Sequence, residues 1–266
     1  MDTVEINGLR IAYERVGTGP PLVCLHGFLA DSRAWRPQLE DLSSDFTVVA
    51  WDAPGCGGSD DPPDHFRFDE YVGILDEFLR ALRITEPNLL GLSWGGVLAL
   101  AFYDVCPEVP RSLILADTYA GWAGSLSPGL VAARVAQAER DSLRPAAEWV
   151  PDWIPTLLHE PTDELRREVE TILSEFHPVG YRVMAHAVAE IDLRPALARV
   201  DVPTLVLYGE HDQRSPVEVG RRLHEAIPGS KLVVIPRAGH VSNVDAPARF
   251  DAEVRAFLAA TAPPVA

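Results

Sequence analysis

Cysteine is scarce in this chain, and its placement excludes two kinds of scaffold. Cys24, Cys56 and Cys106 are the only three cysteines among 266 residues, and they form no C-x-x-C pair. An odd count without such a pair argues against a disulfide framework and against a zinc site. Cys24 lies in an apolar run and is expected in the core. Cys56 lies in a glycine-rich turn, where a structural role or a reactive thiol is conceivable.

Positive charge is also in short supply. The chain has 23 Lys and Arg against 39 Asp and Glu, a formal net charge of -16 at pH 7, and Lys231 is its only lysine. Nucleic acids and anionic membrane surfaces are bound through clustered basic residues. We therefore expect neither as a partner, and we interpret the excess of acidic residues as a contribution to solubility.

Long hydrophobic runs are missing as well. No stretch approaches the roughly 18 consecutive apolar residues that a membrane span needs. Residues 1–6 show no basic start and no apolar segment of the kind found in signal peptides. A reducing, cytoplasmic setting is therefore expected.

Short apolar runs, by contrast, recur along the chain. They lie at residues 21–26, 46–52, 89–92, 112–116, 204–208 and 232–235. Runs of this length are typical of strands that are buried on both faces of a parallel sheet. Helical spacing separates them, as in 68–82, and Ser215 with Pro216 predicts the capped start of a helix over 217–227. The alternation predicts an α/β fold with a doubly wound, mostly parallel sheet.

The alternation is interrupted between residues 118 and 197. Prolines and the tryptophans Trp122, Trp149 and Trp153 occur there among mostly helical patterns, with no strong strand run. Because the strand pattern resumes afterwards, we interpret 118–197 as a helical cap inserted in a core made of 1–117 and 198–266. A separate domain is the alternative. The three tryptophans are candidate substrate-binding residues, with packing inside the cap as their other reading.

A candidate nucleophile lies at Ser93. Residues 91–96 read Gly-Leu-Ser-Trp-Gly-Gly, a G-x-S-x-G motif that follows an apolar run and precedes a helical pattern. This strand–turn–helix context is the one in which the motif exposes a nucleophilic serine. The turn is so sharp that side chains at Gly91 and Gly95 would clash with neighbouring backbone. An ordinary tight turn is the alternative.

A serine nucleophile needs a base and an acid that orients the base. His240 is the candidate base, because it follows the run 232–235 and stands last in the chain order of serine, acid and histidine. Asp212, in the loop after the preceding run, is the expected acid. Asp117, at the end of an earlier run, and Glu210 are the competing carboxylates.

Backbone N–H groups at the strand ends are expected to stabilise the developing oxyanion. The N–H of Phe28, which follows the first buried run, and the N–H of Trp94, directly after the serine, are the candidates. No H-E-x-x-H or comparable spacing predicts a metal site, and no Gly-Lys-Ser/Thr follows the glycines at 55–58, so no phosphate-binding loop is predicted.

With these residues in place, the chain resembles the α/β-hydrolase superfamily, especially small capped esterases, enol-lactonases and cofactor-free haloperoxidase-like or perhydrolase-like members. The resemblance covers nearly the whole chain and rests on the motifs at 26–28, 52–59, 91–96, 209–212 and 238–240. It implies an α/β-hydrolase fold and a catalytic triad of Ser93, Asp212 and His240 that needs no cofactor or metal. Epoxide hydrolases and haloalkane dehalogenases are disfavoured, because they place aspartate where this chain has Ser93.

The resemblance also implies a function. It is that of a serine hydrolase that cleaves a carboxylic ester or lactone of a small, largely apolar molecule through an acyl-enzyme. C–C bond hydrolases and perhydrolase-like enzymes share the same residues, and some members of the fold use them to sense a ligand. These alternatives stay open at this point, and no oligomeric state is predicted.

Overall fold

A mixed β-sheet runs through the molecule, whose computed structural model describes residues 1–261. Its strands are β1 (Asp2–Ile6), β2 (Leu9–Val16), β3 (Pro21–Leu25), β4 (Thr47–Trp51), β5 (Asn88–Leu92), β6 (Ser112–Ala116), β7 (Thr204–Gly209) and β8 (Lys231–Ile235). Their spatial order is β1-β2-β4-β3-β5-β6-β7-β8. β2 pairs antiparallel with β1 and β4, and all other neighbours are parallel.

Helices connect the strands. They are α1 (Arg36–Asp41), α2 (Phe68–Ala81), α3 (Trp94–Val105), α4 (Trp122–Ser125), α5 (Pro128–Asp141), α6 (Val150–Leu157), α7 (Asp163–Ser174), α8 (Pro178–Ala189), α9 (Arg194–Leu197), α10 (Val217–Ala226), α11 (Ser242–Asp245) and α12 (Pro247–Thr261). Short 3-10 helices lie at Ser32–Trp35, Leu42–Ser44 and Ala146–Glu148. The helix α2 connects β4 to β5, α3 connects β5 to β6, and α10 connects β7 to β8. Parallel neighbouring strands need crossover connections of this kind.

Successive residues of the parallel strands enter two apolar cores, one on each face of the sheet. In β3, Val23 and Leu25 belong to one core, whereas Leu22 and Cys24 belong to the other. The helices α2, α3 and α10 cover the first face, and α1 and α12 cover the second. Burial on both faces explains why these strands read as continuous apolar runs. The predicted doubly wound, mostly parallel α/β fold is confirmed.

Between β6 and β7 the chain is helical. It forms α4 to α9, and no strand lies in this stretch of the described chain. Side chains such as Trp153, Val169 and Tyr181 join the first core, so these helices pack onto the rest of the molecule. The division into a core of 1–117 and 198–266 and a cap of 118–197 stays a prediction.

Two strands precede the first predicted run. No strand is predicted before residue 21, yet β1 and β2 form an antiparallel hairpin at the edge of the sheet. Only Ile6, Ile11 and Ala12 of this hairpin are buried, so it carries no continuous apolar run. Its turn, Asn7 and Gly8, has φ angles of 52° and 81°, which suit this residue pair in a two-residue hairpin.

The start of α10 also differs from the prediction. Pro216 occupies the capping position, and Ser215 is fully buried. The Ser215 hydroxyl donates a hydrogen bond of 2.6 Å to the carbonyl oxygen of Thr118 instead of capping the helix. A buried carbonyl at the end of β6 needs a donor, and Ser215 supplies one.

The turn at Ser93 brings backbone segments into close contact. Ser93 follows β5 directly and has φ 53° and ψ -114°, a conformation that costs about 1–3 kcal/mol for a residue with a side chain. A Cβ added to Gly91 would lie 2.3 Å from the carbonyl oxygen of Gly95, and one added to Gly95 would lie 2.0 Å from that of Leu25. The two glycines therefore permit the turn that presents Ser93.

Gly95→Ala should abolish or severely weaken folding, because the atoms in its way belong to the backbone of β3. Gly73→Ala is the matched control: Gly73 is exposed on α2, and an added Cβ there would meet nothing within 4 Å. This control should raise the free energy of unfolding by about 0.5–1 kcal/mol. Urea unfolding of both variants and of the parent tests the pair, and a Gly95→Ala protein as stable as the parent would contradict it.

Candidate active site

The loops that follow β7 and β8 bring two buried side chains to Ser93. The Nε2 atom of His240 lies 2.9 Å from the Ser93 Oγ atom. The Nδ1 atom of His240 lies 2.8 and 3.0 Å from the two carboxylate oxygens of Asp212. Because a carboxylate only accepts hydrogen bonds, Nδ1 carries the ring proton and Nε2 is left to accept the serine hydroxyl proton. The structure thus brings together the three predicted triad residues.

Backbone donors hold the Asp212 carboxylate in place. The N–H groups of Arg214 and Ser215 each donate to its Oδ1 atom at 2.8 Å. The side chain is fully buried, so water does not compete for these bonds. The two backbone donors restrict Asp212 to one orientation, and through it they restrict the ring of His240.

Asp117, the competing acid, holds the same two loops without reaching the base. Within residues 1–261 its carboxylate makes no hydrogen bond to His240. Its Oδ1 accepts the N–H of Gly209 at 2.7 Å, and its Oδ2 accepts the hydroxyl of Ser242 at 2.5 Å. Burial raises the pKa of Asp117 well above its usual value, and the nearby Asp212 carboxylate raises it further. Asp117 therefore ties the acid-bearing loop to the histidine-bearing loop.

Glu210 and its neighbour His211 lie at the surface. The Glu210 carboxylate accepts the backbone N–H of Arg237 at 3.1 Å. The ring of His211 stacks on that of His159, with 3.8 Å between the ring centroids. Neither Glu210 nor His211 lines the cavity at the serine, so neither is placed to act there.

The backbone N–H groups of Phe28 and Trp94 have no protein acceptor within residues 1–261. Next to Phe28, the ring of His26 donates from Nδ1 to the carbonyl oxygen of Gly27 at 2.8 Å and accepts the N–H of Ala53 at 2.9 Å. Burial lowers the pKa of His26, so the neutral ring can donate and accept at once. His26 thereby fixes the segment that carries Phe28. The oxyanion role of both N–H groups stays a prediction.

Ser93 and His240 open into a cavity with mostly apolar walls. The walls include Phe28, Trp122, Trp153, Leu157, Leu165 and Val169. Helices α4, α6 and α7 supply most of these side chains, so the helical stretch between β6 and β7 contributes much of the cavity wall. Such walls suit a small substrate with an apolar skeleton.

Of the three predicted tryptophans, Trp149 does not line this cavity. It stacks on Tyr181 at 5.9 Å between ring centroids and meets Trp153 edge to face at 6.0 Å. It is 2% exposed, among residues of the helical segment. Trp149 therefore packs inside that segment, which favours the packing interpretation of this residue over substrate binding.

The cysteines are all free thiols, and none lines the cavity. Cys56 is buried, and its sulfur lies 3.5 Å from that of Met184. Burial raises the pKa of the Cys56 thiol well above its usual value. A buried neutral thiol is a poor nucleophile, so the structural reading of Cys56 is favoured over the reactive one.

Two further residues on the cavity wall have no counterpart in the sequence predictions. Arg134 comes from α5, and Arg214 comes from the loop after β7. From the sequence, an isolated arginine in a helical pattern does not indicate whether it will face a cavity or solvent. The position of Arg214, two residues after Asp212, is the one sequence feature that could have indicated it.

Among residues 1–261, no group of three or more His, Cys, Asp and Glu side chains is arranged to hold a metal ion. No helix in that part of the chain is both long and apolar enough to cross a membrane.

Comparison with known proteins identifies the family. Residues 20–247 match the family model of the alpha/beta hydrolase fold. The chain therefore belongs to the α/β-hydrolase family, and the resemblance inferred from its motifs is confirmed. Members of this family are hydrolases, which places the chain in an enzymatic family without naming its substrate.

Individual relatives cover almost the whole chain. It is 28% identical over 262 residues to 3-oxoadipate enol-lactonase 2 from Acinetobacter baylyi, covering 97% of this chain and 96% of that protein. It is 28% identical over 267 residues to 2-hydroxy-6-oxo-2,4-heptadienoate hydrolase from Pseudomonas putida, covering 97% and 95%. A thermophilic esterase from Thermogutta terrifontis, solved with malate bound, superposes with a TM-score of 0.92 at 30% identity, covering 98% and 99%.

Asp212→Asn and Asp117→Asn should affect activity very differently. We expect Asp212→Asn to lower kcat by about 10⁴-fold, because the amide no longer fixes the tautomer of His240. Asp117→Asn should stay far closer to the parent, because it acts on the loops rather than on the imidazole. Both are measured at equal concentrations of folded protein. A large loss confined to Asp117→Asn would overturn the assignment of the acid.

Proposed function

We propose that this chain is a serine hydrolase that cleaves a carboxylic ester or lactone of a small substrate through an acyl-enzyme. The observation that carries this proposal is the unbroken hydrogen-bonded series from Asp212 through His240 to Ser93. The similarity to an enol-lactonase and to an esterase supports the choice of ester and lactone bonds.

In the proposed reaction, the Ser93 oxygen attacks the carbonyl carbon while Nε2 of His240 takes the hydroxyl proton. The carbonyl oxygen becomes an oxyanion that accepts the N–H groups of Phe28 and Trp94. The C–O bond to the alcohol then breaks, and His240 returns the proton to the leaving oxygen. Water then attacks the acyl-Ser93 ester while His240 takes one of its protons, the bond between the acyl carbon and the Ser93 oxygen breaks, and His240 returns the proton to that oxygen, which releases the acid product and restores Ser93.

Charge moves through this reaction in a way that the surroundings favour. When His240 becomes an imidazolium, the buried Asp212 carboxylate beside Nδ1 stabilises it. Negative charge develops on the substrate oxygen near the first turn of α3, where the helix dipole is favourable. Both effects are larger in the transition state than in the resting enzyme, which is the condition for catalysis.

The proposed substrate is compact. We interpret the helices of 118–197 as a cap whose side chains, with Trp122 and Trp153 among them, form the apolar walls of the cavity. A cavity of this kind excludes polymeric substrates and favours a small molecule with an apolar skeleton. A small-molecule substrate is also consistent with the esterase and lactonase relatives.

Hydrolysis of a C–C bond is the second candidate. Its support is the similarity to 2-hydroxy-6-oxo-2,4-heptadienoate hydrolase over 97% of this chain. The same nucleophile and base would serve both reactions, so substrate preference decides between them. A ligand-sensing protein on this fold would instead show thermal stabilisation by its ligand without turnover.

A screen of short esters, lactones and vinylogous diketones tests the proposal on the parent chain and on Ser93→Ala. We expect turnover of an ester or lactone, and a loss of roughly 10³-fold or more in kcat for Ser93→Ala, because the nucleophile is removed. Ser44→Ala, which alters an exposed serine, is the control and should match the parent. Turnover that survives unchanged in Ser93→Ala would refute the mechanism.

A further inference from the structure

Three arginines, Arg33, Arg134 and Arg214, lie on the mostly apolar wall of the Ser93 cavity. Arg134 extends from α5 and Arg214 from the loop that carries Asp212, and both line the cavity together with Ser93. The same two arginines also line a smaller recess beside it, with Gln137. The arginines therefore meet at one place on the wall, although they come from distant parts of the chain.

Aromatic rings contact both guanidinium groups, and a backbone carbonyl accepts a hydrogen bond from that of Arg134. The Cζ atom of Arg214 lies 3.9 Å from the centroid of the Trp153 ring, and that of Arg134 lies 5.3 Å from the Trp122 ring. The Nη2 atom of Arg134 donates to the backbone carbonyl oxygen of Arg214 at 2.8 Å, and its Nη1 donates to the Tyr119 hydroxyl at 3.1 Å. Cation–π contacts and these bonds fix both side chains in advance of any ligand.

Neither guanidinium has a carboxylate partner. Among residues 1–261, no Asp or Glu oxygen lies within 4.0 Å of either one. Within the described residues, the side chain of Arg214 donates one hydrogen bond, to Thr156 Oγ1 at 3.5 Å. Exposed arginines of this acidic chain commonly do pair, as Arg80 does with Asp76.

Other charged groups at the cavity do not neutralise the two arginines. Arg33, also on the wall, is already paired with Asp31 and Glu175. Glu168 is exposed on α7 and forms no ion pair with the arginines. Burial lowers the pKa of Arg214, and the like charge of Arg134 also lowers it. The buried Asp212 carboxylate acts on Arg214 from a distance and raises its pKa, but it does not contact the guanidinium. Within residues 1–261, two partly buried cations thus stand close together without a carboxylate in ion-pair contact, an arrangement that a bound anion would stabilise.

We propose that Arg134 and Arg214 bind a carboxylate of the substrate, so that the ester or lactone attacked by Ser93 belongs to a small organic acid. The proposal rests on the proposed hydrolase function and narrows its substrate class to an apolar skeleton with one carboxylate away from the reacting bond. Guanidinium groups recognise carboxylates through paired N–H donors, and a bond to such a charged group is stronger than one between neutral groups.

The competing interpretation is structural, with both arginines serving only to pack against the aromatic rings. In that case, replacing them would lower stability or activity for all substrates alike. A carboxylate site instead predicts a change in the preference between charged and neutral substrates. The ratio of two kcat/KM values measured on the same variant isolates this preference, because a general loss of activity cancels.

Matched ester pairs provide the test on the intact chain. Monomethyl glutarate, adipate and pimelate, with the carboxylate on the acyl side, are compared with methyl esters of fatty acids of equal length. On the alcohol side, 4-acetoxybutanoate is compared with butyl acetate. We expect the parent to prefer the carboxylate in at least one pair, and Arg134→Gln or Arg214→Gln to lower that preference roughly 10- to 100-fold. Arg134→Lys and Arg214→Lys, which keep the charge, should lose less.

Arg140→Gln is the matched control, because Arg140 is exposed on the same helix as Arg134 and does not line the cavity. It should leave the preference unchanged. Absence of any preference in the parent, or an unchanged preference in both Gln variants, would overturn the proposal. An equal drop in Arg140→Gln would also overturn it, because a general loss of charge would then be the cause.

Thermal unfolding with adipate and with hexane-1,6-diol separates this proposal from the proposed function. We expect adipate, but not the diol, to raise the Tm of the parent, and neither Gln variant to respond. Stabilisation that needs both arginines, without turnover of any ester, would support the carboxylate site and refute the hydrolase function. Ester turnover with no effect of the arginines would refute the carboxylate site alone.

Discussion

The close approach of backbone segments around Ser93 is the constraint on which the site depends. β5 must turn into α3 within a single residue, and only glycine at positions 91 and 95 leaves room for the carbonyl groups that face them. The strain is carried by Ser93 itself, whose φ is positive. Because parallel strands end at the same edge of the sheet, the loops after β3, β7 and β8 reach the serine from that edge.

Hydrogen bonds between the loops hold the catalytic side chains in place at this edge of the sheet. Asp117 joins the loop after β7 to the loop after β8, while His26 braces the segment that follows β3. Asp212 receives donors from its own loop and orients His240. None of these polar groups is left exposed to water, so their arrangement is held more firmly than a surface cluster would be. Precise placement of reacting groups is what such a network contributes to catalysis.

Positive and negative charges are separated within the site. Two carboxylates, Asp117 and Asp212, are buried among hydrogen-bond donors, whereas two guanidinium groups, Arg134 from α5 and Arg214 from the loop of Asp212, line the cavity beside Trp122 and Trp153. The carboxylates already have donors, whereas the arginines lack an anionic partner in the described chain. This asymmetry is the physical basis for expecting a substrate that combines an apolar skeleton with a negative charge.

Features that are local in sequence were predictable, and features that depend on distant contacts were not. The turn at Ser93 and the apolar runs follow from adjacent residues, which is why the fold and the candidate nucleophile could be inferred. The edge hairpin is buried on only one side, so its sequence contains no continuous apolar run that would predict a strand. Trp149 and Trp153 are four positions apart and both pack against Tyr181, yet only the second lines the cavity, a difference that their spacing does not indicate. Arg134 is placed by its contacts with Tyr119 and Trp122, which lie in another part of the chain.

Covalent labelling tests the central claim most directly, because it reports on the nucleophile without knowledge of the substrate. The chain is treated with a fluorophosphonate, and the adduct is located by intact-protein mass spectrometry and peptide mapping. An activated serine beside an imidazole base should react, whereas an ordinary serine hydroxyl should not. We expect a single adduct on Ser93 that forms much more slowly in a His240→Ala variant. An unlabelled chain, or an adduct on another residue, would contradict it.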